Sequence, residues 1–258
     1  MQANNFVLAD YFKRIGYHSA PKVDIASVAE IMRCQLFTTP FENLDVQAGK
    51  IVSLVPEDIV EKIVTHHRGG YCYEVNGIFA MALQALGIPY QFVAARPMFY
   101  PTRRPKTHMA VVVNLSGERW LCDLGFGSYG LRAPINMDVL DQAIKQDHDS
   151  FMLSKPTDHE YLLQAWVDNA WTPQFAFDLS AQEWIDFAPA NYMNSTHPDA
   201  IFVQKLLVVL HNPEGRKILF GTTLKTMTDG KVEKHFIAKQ DISDALKSHF
   251  GLSQIASK

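Results

Sequence analysis

The sequence predicts an α+β protein, helical in its first third, largely β through its middle, and finished by further strands and a last helix. Three observations carry this. Up to Gly87 apolar residues recur at three- and four-residue spacing, with turn residues between the runs. After Pro89 the pattern changes to short runs rich in Val, Phe and Tyr. No internal repeat or low-complexity linker divides the 258 residues, of which 47% are hydrophobic and 20% charged, enough apolar material for a sizeable core.

The spacing predicts a first helix over Phe6–Ile15, closed by Gly16, and a second over Ile25–Leu36 with Asp24 or Ser27 as its N-cap. The second must end near Thr38, because Pro40 disfavours helical backbone at the residue before it. A third begins at Pro56, where a missing N–H costs nothing, with Glu57 and Asp58 suiting the positive helix end, and stops at Arg68-Gly69-Gly70. A fourth opens at Tyr71 or Cys72 and runs to Leu86, before Gly87. Strands are expected at Tyr90–Ala95, His108–Leu115, Glu118–Leu124 and Glu160–Val167, then at Phe202–Leu210, Lys217–Leu224 and Lys231–Ala238. A last helix covers Ile242–Phe250, capped by Asp241 and stopped by Gly251, whereas the polar stretch from Pro134 to Asp158 has no period to assign.

Composition excludes several functions. The formal charge is −3 and the basic residues are scattered, so a nucleic-acid partner is not expected. The most apolar runs, Ile78–Leu86 and Leu206–Leu210, are far shorter than the roughly 20 residues that cross a bilayer, so no membrane span is expected. The first ten residues lack a basic region, an apolar stretch and a cleavage site, which points to the cytoplasm. Three widely spaced cysteines, Cys34, Cys72 and Cys122, make neither a disulfide framework nor a zinc pattern. No metal is expected: there is no H-E-x-x-H, and His66 and His67 are adjacent and so point apart.

Cys72 is the informative cysteine. Two glycines permit a sharp turn before it, and it then opens an apolar helix, whose unpaired N–H groups favour thiolate over thiol. Cys34, mid-helix, and Cys122, mid-strand, fit ordinary small buried hydrophobes. A nucleophilic cysteine needs a base, and His108 opens a strand whose hairpin partner ends at Asp123. A two-residue loop at Leu115-Ser116 puts His108 directly opposite Asp123; a loop at Ser116-Gly117 makes them diagonal neighbours on one face; a three-residue loop puts them on opposite faces. Gly125-x-Gly127-x-x-Gly130 formally matches a dinucleotide fingerprint, but no helix follows, so that reading fails. Such a turn can still offer N–H groups to a phosphate, or be a plain surface turn, and the cluster Arg103-Arg104-Pro105-Lys106 would suit an anionic ligand.

These residues resemble the arylamine N-acetyltransferase family. The resemblance rests on Pro40-Phe41-Glu42-Asn43-Leu44, Arg68-Gly69-Gly70-Tyr71-Cys72-Tyr73-Glu74 with Asn76, Thr107-His108-Met109, and Asp123-Leu124-Gly125-Phe126-Gly127, in that order. Tyr73 departs from a common phenylalanine, and Val75 sits at a variable position. The resemblance implies a helical bundle over 1–87 carrying the nucleophile, a β-barrel over 88–200 carrying His and Asp, and an α/β region over 201–258, with a papain- or transglutaminase-like cysteine site. It implies Cys72 as acyl acceptor, His108 as its base and Asp123 as the group orienting His108. The implied reaction is ping-pong: acetyl-CoA, a co-substrate and not a tightly bound cofactor, acetylates Cys72, and an arylamine, arylhydrazine or N-hydroxyarylamine takes the acetyl group. Phe41, Phe126 and Phe202 would line the acceptor pocket, Arg104, Thr107, Gly127 and Ser128 would contact CoA, and Glu42 with Arg68 would form a structural ion pair. A monomer or homodimer is expected. The same three residues with water as acceptor would make a thioesterase or amidase, and a relative that closes an amide within one molecule is a further alternative.

Overall fold

A computed structural model describes residues 1–127 and 129–253. The N-terminal part contains α1 (Leu8–Ile15), α2 (Ile25–Thr38), the two-residue strand β1 (Phe41–Glu42), α3 (Leu44–Gln47), α4 (Pro56–Val60) and α5 (Cys72–Ala85). Asp24 is the cap of α2, its carboxylate accepting the Ser27 N–H at 2.8 Å. α4 starts at Pro56 as expected, but continues as a π-helical turn over Glu61–Thr65 and stops there, short of Arg68, with His67 at φ 53°. Twelve consecutive residues of α5, Cys72 to Leu83, are buried, so this is the central helix, covered on all sides.

Eight antiparallel strands follow: β2 (Tyr90–Pro97), β3 (His108–Leu115), β4 (Glu118–Cys122), β5 (Ile135–Asn136), β6 (Ile144–Gln146), β7 (Asp149–Ser154), β8 (Tyr161–Val167) and β9 (Ala170–Phe177). Their order is β5-β4-β3-β2-β9-β8-β7-β6, so β5 and β6 are the two edges. Gln146 of β6 stitches these edges: its Oε1 accepts the Arg132 and Ala133 N–H groups at 2.7 and 3.1 Å, and its amide donates to the Ala133 carbonyl at 2.8 Å. The sheet is therefore a nearly closed barrel. The stretch without sequence period supplies β5, β6 and β7, all short and separated by turns such as Asp141 and Asp147, both at positive φ. β9 escapes the sequence pattern because Pro173 interrupts it; a register shift at Leu163/Gln164 of β8 accommodates the proline.

Beyond the barrel lie α6 (Ala188–Thr196), α7 (Ile201–Gln204), β10 (Leu207–Asn212), β11 (Gly215–Phe220), β12 (Thr223–Thr228), β13 (Lys231–Phe236) and α8 (Ile242–Phe250). The strand expected from Phe202 is corrected: Phe202 sits in α7, and β10 starts at Leu207. The turn is fixed from outside, because the Asn43 amide donates to the carbonyls of Phe202 and Lys205 at 2.7 and 2.8 Å. The strand expected over Lys217–Leu224 is two strands, folded back at Gly221, whose φ is +59°. These strands order as β1-β10-β11-β12-β13, so the Pro40-Phe41-Glu42 segment is built into the C-terminal sheet. Asp241 precedes α8 without capping it through its side chain. Among the described residues, no helix is long and apolar enough to cross a membrane.

Arg132 and Arg216, both fully buried, join barrel to sheet. Asp149 on β7 accepts from Arg132 Nε at 2.8 Å and from both terminal nitrogens of Arg216 at 2.7 and 2.9 Å. Burial alone would raise the Asp149 pKa; the two guanidinium groups hold it below the usual carboxylate range. Removing this one carboxylate strands the buried Arg216 cation and leaves Arg132 with only Asp147, at 3.2 Å, as a counter-charge. Asp149→Ala should cost about 3–5 kcal/mol and lower Tm by about 10 °C in a thermal melt; an unchanged Tm would contradict this role.

Candidate active site

The Arg68-Gly69-Gly70-Tyr71-Cys72 sequence is dictated by close approach. A Cβ at Gly69 would fall 1.8 Å from the Pro40 carbonyl oxygen, and one at Gly70 would fall 2.6 Å from the Glu74 carboxylate. The chain can thus cross β1 tightly, the Gly70 N–H bonding to Pro40 O and its carbonyl accepting from the Glu42 N–H. Glu74 then turns back to accept the Tyr71 N–H at 3.0 Å, which fixes the first turn of α5 with Cys72 at its start. Beneath this turn lies a cluster of charges: Arg68 pairs with Glu42 at 2.7 Å, and Lys62 reaches Asp45 and Glu74, both at 2.6 Å. Burial raises the Glu74 pKa to about 7 against the pull of the Lys62 ammonium.

The β3–β4 hairpin takes the second of the two productive registers. Leu115 pairs with Glu118, leaving Ser116 and Gly117 as the loop, both at positive φ as a type I′ turn requires. Cys122 then faces Val111, which puts Asp123 one residue on, diagonal to His108 and on its face. His108 Nε2 donates to Asp123 Oδ2 at 2.7 Å, and both residues are buried. The other carboxylate oxygen, Oδ1, accepts from the Asn76 amide at 3.0 Å and the Gly125 N–H at 2.8 Å. Asn76, one helical turn beyond Cys72, also donates to Met109 O and accepts the Leu124 N–H. Its position at i+4 from the cysteine is the sequence signal for this tie.

These ties press the 123–127 turn onto α5 so closely that a Cβ at Gly125 would lie 2.4 Å from the Cys72 Cα. The His108 ring sits between Phe126 and Phe175, at centroid distances of 5.1 and 5.0 Å, and its Nδ1 is the nitrogen not engaged by Asp123. Burial would lower the His108 pKa; the charge and hydrogen bond of Asp123, with Cys72 adding to them, reverse this and raise it to about 10. The arrangement can therefore hold a proton on the imidazole beside a sulfur at neutral pH, which suits nucleophilic attack by the sulfur and proton return from the ring.

Cys72 and His108 open onto a cavity of about 530 Å³ whose walls include Phe41, Phe126, Tyr129 and Phe202. The three predicted pocket phenylalanines thus come together, Phe41 and Phe202 with ring centroids 5.9 Å apart. Arg104 and Thr107 also line the cavity. Arg104 stacks over the Tyr100 ring at 4.7 Å, whereas its neighbour Lys106 is occupied by Asp178 at 2.5 Å. Gly127, at φ +88°, lies against the Phe41 ring and is not part of the lining; Ser128 lies outside the described residues. The Tyr73 hydroxyl donates to the Thr107 carbonyl at 2.9 Å, as does the Asn194 amide of α6, giving the tyrosine a partner that a phenylalanine would lack. Asn194 and Phe175 are lining or packing residues that the sequence did not single out.

A family model described as N-acetyltransferase matches residues 24–256. The chain is 33% identical to an arylamine N-acetyltransferase of Escherichia coli over 214 residues, covering 82% of this chain and 75% of that one. It is 30% identical to an arylamine N-acetyltransferase of Mycolicibacterium smegmatis, with 95% and 91% covered. Among solved structures, the arylamine-N-acetyltransferase of Mycobacterium tuberculosis superposes with a TM-score of 0.90 at 30% identity, covering 95% of this chain and 93% of that one. The Mycobacterium marinum enzyme solved in complex with CoA gives 0.89 at 27% identity, with 95% and 92% covered.

Because the folded-state pKa of His108 is raised, its contribution to stability is complete below about 6.5 and is lost as pH rises toward about 10. Asp123→Asn removes the charge that opposes burial. The His108 ring, followed by NMR, should then titrate below 6.5 instead of near 10, in a protein whose far-ultraviolet spectrum is native; a titration that stays near 10 would show that Asp123 does not set it.

Proposed function

Since the chain belongs to the arylamine N-acetyltransferase family, we propose that it moves an acetyl group from acetyl-CoA to an arylamine, arylhydrazine or N-hydroxyarylamine through a thioester on Cys72. The observation that supports this most is the buried His108–Asp123 pair, 2.7 Å apart, on the cavity that Cys72 opens onto. In the first half-reaction the Cys72 sulfur attacks the thioester carbonyl carbon. The new S–C bond forms, the bond to the CoA sulfur breaks, and the His108 imidazolium gives its proton to that leaving sulfur. In the second the amine attacks the acetyl carbonyl, the neutral His108 takes the amine proton, and the bond to Cys72 breaks. His108 ends protonated beside a free sulfur, as it began.

The oxyanion of each tetrahedral intermediate would accept from backbone N–H groups at the start of α5, which have no partner within the helix. Phe41, Phe126 and Phe202 would hold the aromatic acceptor, and their apolar surface keeps water from the thioester, which separates transfer from hydrolysis. Arg104, Thr107, Gly127 and Ser128 would contact CoA, and the enzyme would act in the cytoplasm.

Incubation with acetyl-CoA and no amine should add one acetyl mass to the intact protein, none to Cys72→Ala, and the adduct should vanish on adding an arylamine. A wild-type protein that stays unmodified while releasing no CoA would overturn the acetyl-transfer reading; an adduct that water discharges as fast as the amine does would make the chain a hydrolase.

A further inference from the structure

The peptide that carries His108 into β3 is held from outside the sheet. β3 pairs with β2 from His108 onward, opposite Ala95, and Thr107 lies beyond that last rung. Its carbonyl therefore has no ladder partner, at a residue that lines the cavity, where an unmet acceptor is costly. Two side chains supply the donors: the Tyr73 hydroxyl and the Asn194 amide, each at 2.9 Å. On the other side of His108, the Met109 carbonyl accepts from the Asn76 amide at 2.8 Å. The carbonyls flanking His108 are thus both tied to α5, by Tyr73 and Asn76, whose i, i+3 spacing puts them on one face of the helix that begins at Cys72.

Both donors are themselves fixed. The Tyr73 ring is fully buried between Tyr71, edge-on at 5.5 Å, and Phe187 at 5.6 Å. Burial, then the nearby Cys72 and Tyr71, hold its hydroxyl well above the ordinary tyrosine pKa, so it keeps its proton and donates throughout the neutral range. Asn194 stands on α6, which is joined to the first turn of α5 by the Tyr71 hydroxyl through Asn191 and Ser195. The bonds of Asp123 reach the ring of His108 and none of its backbone. The Thr107 carbonyl and the His108 N–H belong to one planar peptide unit, so a bond to that carbonyl sets the backbone from which the ring hangs.

We propose that Tyr73 and Asn194 are positioning residues for the acyl transfer, which set the His108 imidazole against the Cys72 sulfur by sharing the Thr107 carbonyl. This rests on the acetyl-transfer reading above, and it gives the hydroxyl at position 73 a part that a phenylalanine ring could not play. With one donor gone, the other still satisfies the carbonyl. With both gone the carbonyl is an orphan, and the peptide before His108 is free to turn.

The test follows the pH dependence of Cys72 alkylation by iodoacetamide in Tyr73→Phe, Asn194→Ala and the double variant, each with a native far-ultraviolet spectrum, beside the rate at which acetyl-CoA acetylates Cys72. Each single change should slow both reactions about fivefold at neutral pH and move the alkylation midpoint up, toward that of an ordinary thiol. The double variant should lose more than the product of the two single losses, because it alone strands the carbonyl. A lower Tm with midpoint and rates unchanged is what a purely structural role predicts, and it would overturn the positioning. So would losses that simply multiply, since the two donors would then act separately. Tyr73→Phe keeps the ring and its packing, so it decides alone if the double variant does not fold: an unmoved midpoint there ends the proposal. A wild-type protein that takes no acetyl from acetyl-CoA would sink the acetyl-transfer reading, while alkylation still decided the positioning.

Discussion

A single buried carboxylate holds the site together. Asp123 has no exposed surface, and its oxygens are taken by the His108 ring, the Asn76 amide and the Gly125 N–H. A charge in such a place is tolerable because every partner is a donor and one of them carries positive charge. The same bonds tie the helix that presents Cys72 to the β3–β4 hairpin, whose first strand presents His108 and whose following turn holds Asp123 and Gly125. Moving either would leave a buried donor or the carboxylate itself unsatisfied, so the spacing of cysteine and histidine is set by the cost of stranding Asp123.

Around that centre the protein relies on charge in two further buried places. The Glu42, Asp45, Lys62, Arg68 and Glu74 cluster secures the turn before Cys72, while Asp149 with Arg132 and Arg216 secures barrel to C-terminal sheet. Both connect elements distant in sequence, where a purely apolar contact would tolerate sliding. The wall residue Tyr129 is fixed to the second cluster, its ring lying 4.5 Å under the Arg216 guanidinium. Tyr71 is fixed to α6 by hydrogen bonds from its hydroxyl to Asn191 and with Ser195. Cavity walls on the first turn of α5, on α6 and on β11 are thus held by polar contacts behind them, which leaves their inner surfaces free to be apolar.

Four of the helices before Gly87 and the β3–β4 hairpin were legible in the sequence because their signals are local, a proline at a helix start, a glycine at a helix end, an alternation of apolar residues; the one-turn α3 carries no such signal and was not read. The site was legible as well, once Cys72 was placed at a helix start and His108 and Asp123 on one strand face; the choice between two registers needed only that glycine occupy the second loop position. Elsewhere the determinants are non-local. β5 and β6 are two and three residues long and are set by pairing with β4 and β7 and by the Gln146 side chain, which ties β6 to Arg132 and Ala133 just before β5, not by their own pattern. α6 was not read because Asn191, Asn194 and Ser195 face inward, inverting the usual amphipathic pattern. Phe202 belongs to a helical turn because Asn43, far away in sequence, supplies the hydrogen bonds.

In the proposed mechanism the Asp123–His108 pair would make Cys72, alone among Cys34, Cys72 and Cys122, a nucleophile. Competitive alkylation by iodoacetamide at neutral pH, with the modified peptides quantified by mass spectrometry, tests it most directly. Cys72 should react far ahead of Cys34 and Cys122 in the native protein, and His108→Ala should abolish that lead; labelling of Cys72 at the rate of Cys34, or a lead that survives the loss of His108, would contradict the account.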